Sequence, residues 1–139
     1  MTNVQLPKGY KPSADEEFMN DMQKEYFRQR LLAWREELLK DSEETLNNLK
    51  DGGMTVPDIS DRASAEADKA LELRTRDRMR KVISKIDAAL ERIEDGTYGY
   101  CEETGEPIGL ERLIARPIAT MTIEAQERHE RMEKTYSDD

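Results

Sequence analysis

Cysteine is nearly absent from this chain of 139 residues: Cys101 stands alone, so no internal disulfide can form, and a single thiol fits a reducing compartment. Aromatic residues make up only 6% and hydrophobic residues of all kinds 36%, against 38% charged. That balance excludes a deeply buried globule and points to solvated helix surfaces along a narrow apolar seam. No apolar run approaches the roughly 20 residues that a membrane span needs. The N-terminal MTNVQLPKGYKPS lacks the hydrophobic core of a signal peptide, which places the chain in the cytoplasm. Positive charge is also scarce: 22 Lys and Arg face 31 Asp and Glu, a net charge of −9 that opposes attachment to nucleic acid phosphates or an anionic membrane. Any role in DNA regulation would run through another protein.

What the chain does have is helical periodicity with clear punctuation. Residues 1–19 carry Pro7, Gly9 and Pro12 without apolar periodicity and read as a flexible segment or a short helix. Two capping boxes follow, Ser13 with Glu16 and Asn20 with Gln23. The second is the better start for a long helix, because Phe27, Leu31, Trp34 and Leu38 then step by four, three and four, a heptad seam that continues less regularly through Leu46 and Leu49. The segment DGGMTVPDISD (51–61) breaks that helix, since Gly52 and Gly53 stop it and Pro57 disfavours helical geometry at Val56. Ser60 or Asp61 caps a second helix whose seam, Met79, Ile83, Ile86, Leu90 and Ile93, repeats the spacing and stops near Asp95 and Gly96. Residues 20–95 are thus predicted to form an antiparallel coiled-coil hairpin with its tip at 51–61 and arms of roughly 45–50 Å, at about 1.5 Å per residue.

Within the second arm, LELRTRDRMRK spreads Arg74, Arg76, Asp77, Arg78, Arg80 and Lys81 over nearly every helical azimuth. A charge run is usually a solvated face, yet here some charges must lie beside the partner helix or meet another protein. After Gly96 the stretch YGYCEETGEPIGLERLIARPIA sets Gly99, Gly105, Pro107, Gly109 and Pro117 among short apolar pieces, giving a small irregular head over residues 96–121. Its candidate core is Tyr98, Tyr100, Ile108, Leu110, Leu113, Ile114, Ile118, Met121 and Ile123. Thr122 caps a last helix within 122–139, with Glu124 in its first turn and Arg128, Arg131 and Lys134 toward its end, as the helix dipole favours. The sequence contains no nucleophile with a plausible base, no phosphate-cradling glycine loop and no complete metal cluster, so the chain is read as a non-enzyme.

The head segment, with its YGYC, IG, RL and ARP elements in order, resembles the zinc-finger segment of the DksA/TraR family. PDISDRAS followed by ELRTRDR is similar to that family's coil tip and second arm, and FMNDMQKEYFRQRLLAWREEL to its first arm, so the resemblance covers about residues 18 to 135. It implies a mainly α fold: a long antiparallel coiled-coil hairpin, a small zinc-finger-like head and a C-terminal helix. The family's four zinc-ligand positions fall on Cys101, Thr104, Thr122 and Ala125, of which only the first is a metal ligand. A structural zinc site wants four nitrogen or sulfur donors in a tetrahedron. The head is therefore expected to bind no zinc, to be held by apolar packing and to be indifferent to oxidation, with His129 an ordinary solvated helix residue.

The resemblance further implies a monomeric regulator that inserts its tip into the secondary channel of RNA polymerase, without sequence-specific DNA binding. Asp58 and Asp61 match the tip aspartates, Ala63 the small residue beside them, and Arg78 a contact to the polymerase rim. Lys85 and Arg116 match basic positions that hold guanosine tetraphosphate (ppGpp), the alarmone of the stringent response. The lysine expected just after the last ligand position is Gln126, which implies weaker alarmone binding, and Arg112 is expected to contact polymerase or pack the head. The implied output is modulated initiation at ribosomal RNA and amino-acid biosynthesis promoters. Two other readings fit similar residues: a Gre-like transcript cleavage factor, which also carries an acidic coil tip, and a structural coiled-coil adaptor. A small hydrolase built on Asp58 and Asp61 would leave most metal coordination positions to water.

Overall fold

The computed structural model describes residues 4–51 and 59–137. Four helices follow in order, α1 (Asp21–Asp51), α2 (Ile59–Asp95), α3 (Leu110–Ala115) and α4 (Ile123–Ser137). Among the described residues the only β pairing is an isolated antiparallel bridge between Tyr100 and Pro107. The fold is mainly α, with α1 and α2 as the two arms of a coiled-coil hairpin, and no described helix is long and apolar enough to cross a membrane. The chain divides into two compact units, residues 32–87 and residues 1–31 with 88–139.

In the first of these units the α1 and α2 segments are tied by Arg35, whose Nε donates to Asp87 Oδ1 at 2.7 Å and whose guanidinium is thereby held above its ordinary pKa. Ile86 is fully buried, while Trp34, Leu38, Met79 and Ile83 are half-buried. The heptad phase of Met79, Ile83 and Ile86 runs back through Arg76, Glu72, Lys69 and Ala65, all of them half-buried. This resolves the charge run of α2. Arg76 is its seam residue, whereas Arg74, Asp77, Arg78, Arg80 and Lys81 are exposed, as are Leu71 and Leu73, which fall outside the seam.

In the second unit, α1 begins where the second capping box places it. Asn20 Oδ1 accepts from the Gln23 N–H at 2.8 Å, and Gln23 Oε1 reaches back to the Met19 N–H at 2.7 Å. Gln23 is fully buried, and its amide also donates to the Ser13 carbonyl. The other box forms as well, with the Ser13 N–H donating to Glu16 Oε1 at 2.9 Å, yet only turns follow it. Met19 takes a φ of 55°, a left-handed conformation that a right-handed helix cannot pass through. Residues 4–20 form a succession of turns tied by side chains, with no helix among them. The Tyr10 hydroxyl donates to the Glu16 carboxylate and its ring sits edge-on to Tyr26 at 6.2 Å. Burial and the neighbouring Glu16 push the Tyr10 phenol up to about 12, while the Ser13 N–H, above all, holds the Glu16 carboxyl below its ordinary pKa.

Phe27, Leu31, Ala89, Ile93 and Tyr98 make the core beneath, with the Phe27 ring 5.6 Å from Tyr98 and 5.2 Å from Tyr26. α2 stops at Gly96, whose φ of 84° lets the Thr97 and Tyr98 N–H groups both turn back to the Arg92 carbonyl. Gly99, at φ 92°, has a second reason to lack a side chain, since a Cβ there would lie 2.9 Å from Met19 Cγ. Tyr98 sends its hydroxyl to the Pro117 carbonyl at 2.8 Å, and burial pushes the phenol far above its ordinary pKa.

The predicted core of the head needs three corrections. Tyr100, Ile114 and Ile123 are 38%, 37% and 50% exposed. Tyr100 lies outside, edge-on to Phe18 at 5.6 Å. α3 has only six residues, and its inward position is taken by the fully buried Leu113, which leaves Ile114 outside. At the start of α4, Thr122 and Ala125 are the residues that face inward, and Ile123 between them does not. Leu110 and Met121 are half-buried, and the space goes to Cys101, Ala119 and Ala125 alongside Tyr98, Ile108, Leu113 and Ile118.

Candidate functional site

Residues 99–108 fold into a knuckle: the Ile108 N–H meets the Gly99 carbonyl at 2.8 Å, Cys101 N–H the Glu106 carbonyl at 2.7 Å, and Gly105 N–H the Cys101 carbonyl at 2.8 Å. The Glu102 N–H, donating to the Thr120 carbonyl at 2.9 Å, fastens this knuckle to the segment before α4. There Thr122 acts as N-cap, its hydroxyl accepting the Ala125 N–H at 3.2 Å. The backbone thus gathers the four expected ligand positions, with Cys101, Thr122 and Ala125 buried and Thr104 exposed.

Their chemistry does not fit a zinc ion. The Thr104 hydroxyl is directed to the Cys101 sulfur, the Thr122 hydroxyl serves the helix terminus, and Ala125 offers a methyl group. Among the described residues no group of three or more His, Cys, Asp and Glu side chains lies together as a metal-holding cluster. His129 contacts Glu103 Oε1 at 3.1 Å in an exposed pair.

Cys101 keeps chemistry of its own. Burial acts to raise its pKa, but hydrogen bonds from the Thr104 hydroxyl and the backbone N–H groups of Thr122, Thr104 and Glu103 outweigh burial and bring the thiol from 9.0 to about 7. The sulfur is buried all the same, with Cys101 3% exposed. A pKa lowered by folding stabilises the native state above the unfolded value, and that contribution is lost as pH falls through the folded value. The gap in urea midpoint between the parent and Cys101→Ser should widen from pH 7 to 9 and then level off. A gap that stays constant over that window would show that the sulfur is not ionised in the fold.

Arg112 packs the head. Its Nε donates to the Met121 carbonyl at 3.0 Å and its Nη2 to Gln126 Oε1 at 2.9 Å, so α3 is clipped to the first turn of α4. The sequence marked Gln126 only as a missing cation and overlooked this positive role. An amide can accept from a guanidinium and a lysine cannot, and the pairing of a new acceptor with an arginine in ERL was the available signal.

The remaining candidates are spread along the chain. Asp58 lies outside the described residues, Asp61 falls in the first turn of α2, and Ala63 is exposed. Arg78 is exposed, its Nη2 reaching only the Thr75 hydroxyl at 3.2 Å. Lys85 and Arg116 are both exposed, the former in the unit of residues 32–87 and the latter, just after α3, in the other.

These features define a class: a helical coiled-coil hairpin joined to a finger-type head whose metal positions hold one thiol, two threonines and an alanine. Residues 23–93 match the family described as DnaK suppressor protein DksA, N-terminal domain, and residues 96–131 the Prokaryotic dksA/traR C4-type zinc finger. The chain belongs to the DksA/TraR family. It is 66% identical over 130 residues to the RNA polymerase-binding transcription factor DksA of Caulobacter vibrioides, across 94% of this chain and 92% of that relative. The protein of the same name from Escherichia coli K12 is 42% identical over 125 residues, across 90% and 83%. Among solved structures, transcription factor DksA2 from Pseudomonas aeruginosa is similar with a TM-score of 0.81 at 43% identity, covering 87% of this chain and 95% of that one.

Proposed function

We propose that this chain is a cytoplasmic RNA polymerase-binding regulator of transcription initiation, monomeric, acting through its hairpin tip in the polymerase secondary channel. The observation that carries this reading is the 66% identity, over nearly the whole chain, to a relative named for binding RNA polymerase as a transcription factor. In this role the chain needs no catalytic set of its own. Asp58 and Asp61 supply carboxylates near the polymerase magnesium centre, where they perturb metal coordination or the mobile elements around it. Ala63 leaves room for close entry, and Arg78 offers a guanidinium fork to carboxylates of the polymerase.

The head works without zinc, since three of the four ligand positions cannot bind it. Guanosine tetraphosphate is held at the interface by Lys85 and Arg116 with weaker affinity than a third cation would give, because Gln126 is neutral and already engaged by Arg112. The test is transcription in vitro from a ribosomal RNA promoter. The protein should lower transcript yield, and the alarmone should deepen the effect modestly. Elemental analysis of the same preparation should find far less than one zinc per chain. Unchanged transcript yield with and without the alarmone would overturn the reading, and cleavage of the transcript in backtracked complexes would favour the Gre-like alternative.

A further inference from the structure

The head carries a cavity that regulation of polymerase does not use. A groove of about 450 Å³ opens between the N-terminal turns, the end of the knuckle, α3 and the start of α4. Its size falls within the roughly 300–1,000 Å³ of small-molecule sites. Phe18, Ile108, Leu110 and Ile123 give it an apolar wall, and Glu16, Glu111 and Arg112 supply its charge. All of these residues belong to one compact unit. The groove also accounts for Ile123, which opens α4 half-exposed: its side chain lines this cavity and not the core of the head.

Both carboxylates of the groove keep their charge. Glu16 is oriented by neutral donors, the Ser13 N–H, the Tyr10 hydroxyl and the Asn20 amide, and stays ionised below the ordinary carboxylate range. Neither Glu16 nor the exposed Glu111 forms an ion pair among the described residues. Arg112, the cation on the wall, is committed to the Met121 carbonyl and Gln126 Oε1. An apolar wall beside fixed negative charge discriminates among ligands. An anion would meet like charge. A neutral apolar molecule would strip water from Glu16 without replacing it. A bare divalent cation wants roughly six to eight oxygen ligands, and among the described residues no three or more His, Cys, Asp and Glu side chains lie together.

We propose that this groove binds a small organic cation of the aliphatic diamine class. The ammonium groups donate charge-assisted hydrogen bonds to Glu16 and Glu111, and the methylenes lie against Phe18, Leu110 and Ile123. Glu16 comes from the turns before α1, Glu111 from α3 and Ile123 from α4. A bound diamine therefore ties three segments of the head together, and because it binds only the folded arrangement it stabilises the head in proportion to its concentration. Such a site makes the head responsive to a cellular amine, whichever surface meets polymerase.

The test titrates the full-length protein with 1,4-diaminobutane at constant ionic strength, following side-chain NMR signals and the melting temperature. Saturable shifts at Phe18, Leu110 and Ile123 are expected, with a melting temperature that rises with amine concentration. The neutral analogue 1,4-butanediol should produce neither. Glu111→Gln, at an exposed position, should fold as the parent does and bind the diamine on the order of tenfold more weakly, the effect of losing one charge-assisted hydrogen bond. Ile123→Ala should also fold normally and bind less tightly. Shifts that grow without saturation, shifts that butanediol reproduces, or a Glu111→Gln variant that binds as tightly as the parent would overturn the site. A rise in melting temperature without shifts at the groove would place the amine elsewhere and overturn it equally.

Discussion

Phe27→Ala is expected to lower folding stability by about 3–5 kcal/mol, the range for a fully buried aromatic side chain. The ring has no exposed surface, stands between Tyr26 and Tyr98, and shares its core with Leu31, Ala89 and Ile93. Through Tyr98 it also supports the head, because that phenol holds the Pro117 carbonyl. A small domain has only about 5–15 kcal/mol of net stability, so the loss would leave the variant partly unfolded under ordinary conditions. Urea unfolding followed by circular dichroism measures it. Trp34→Ala, at a half-buried seam position, should cost less. A Phe27 variant as stable as the parent would mean that the base of the hairpin is not packed as described.

The largest functional effect is expected at the tip. Asp58→Asn and Asp61→Asn keep size, turn preference and capping ability, so the hairpin should fold and dock as before. What they remove is negative charge. Near a magnesium centre a carboxylate and a carboxamide differ sharply, since hard cations prefer anionic oxygen and the interaction strengthens where water is excluded. The variants should therefore bind polymerase while losing most of their effect on initiation, which would separate delivery by the hairpin from action at its tip.

Much of the fold was legible because each helix carries its own punctuation. Asn20 with Gln23, Gly96 and Thr122 each do in the structure what their chemistry suggested. The seam of α2 was legible from Met79 through Ile83, Ile86, Leu90 and Ile93 but not before Met79, since Arg76, Glu72 and Lys69 occupy the same phase with long polar side chains that periodicity alone reads as solvated. Ser13 with Glu16 looked like a helix start and gave turns, because the left-handed Met19 is a tertiary choice, made where Gly99 closes on the Met19 side chain. In the head, hydrophobicity chose Tyr100, Ile114 and Ile123, yet packing there is governed by a knuckle of backbone hydrogen bonds that buries small residues. The pairing of Arg112 with Gln126 was harder to read for a related reason, since the new acceptor and the arginine of ERL meet only when two helices pack and follow no local pattern.

The central claim is that a helical hairpin carries two carboxylates to where they act on polymerase. It is tested most directly by measuring polymerase affinity and ribosomal promoter output side by side for the parent and the Asp58→Asn, Asp61→Asn double variant. The account predicts unchanged affinity with transcript yield restored to the level seen without the factor. A double variant that still represses like the parent, or one that no longer binds, would contradict it.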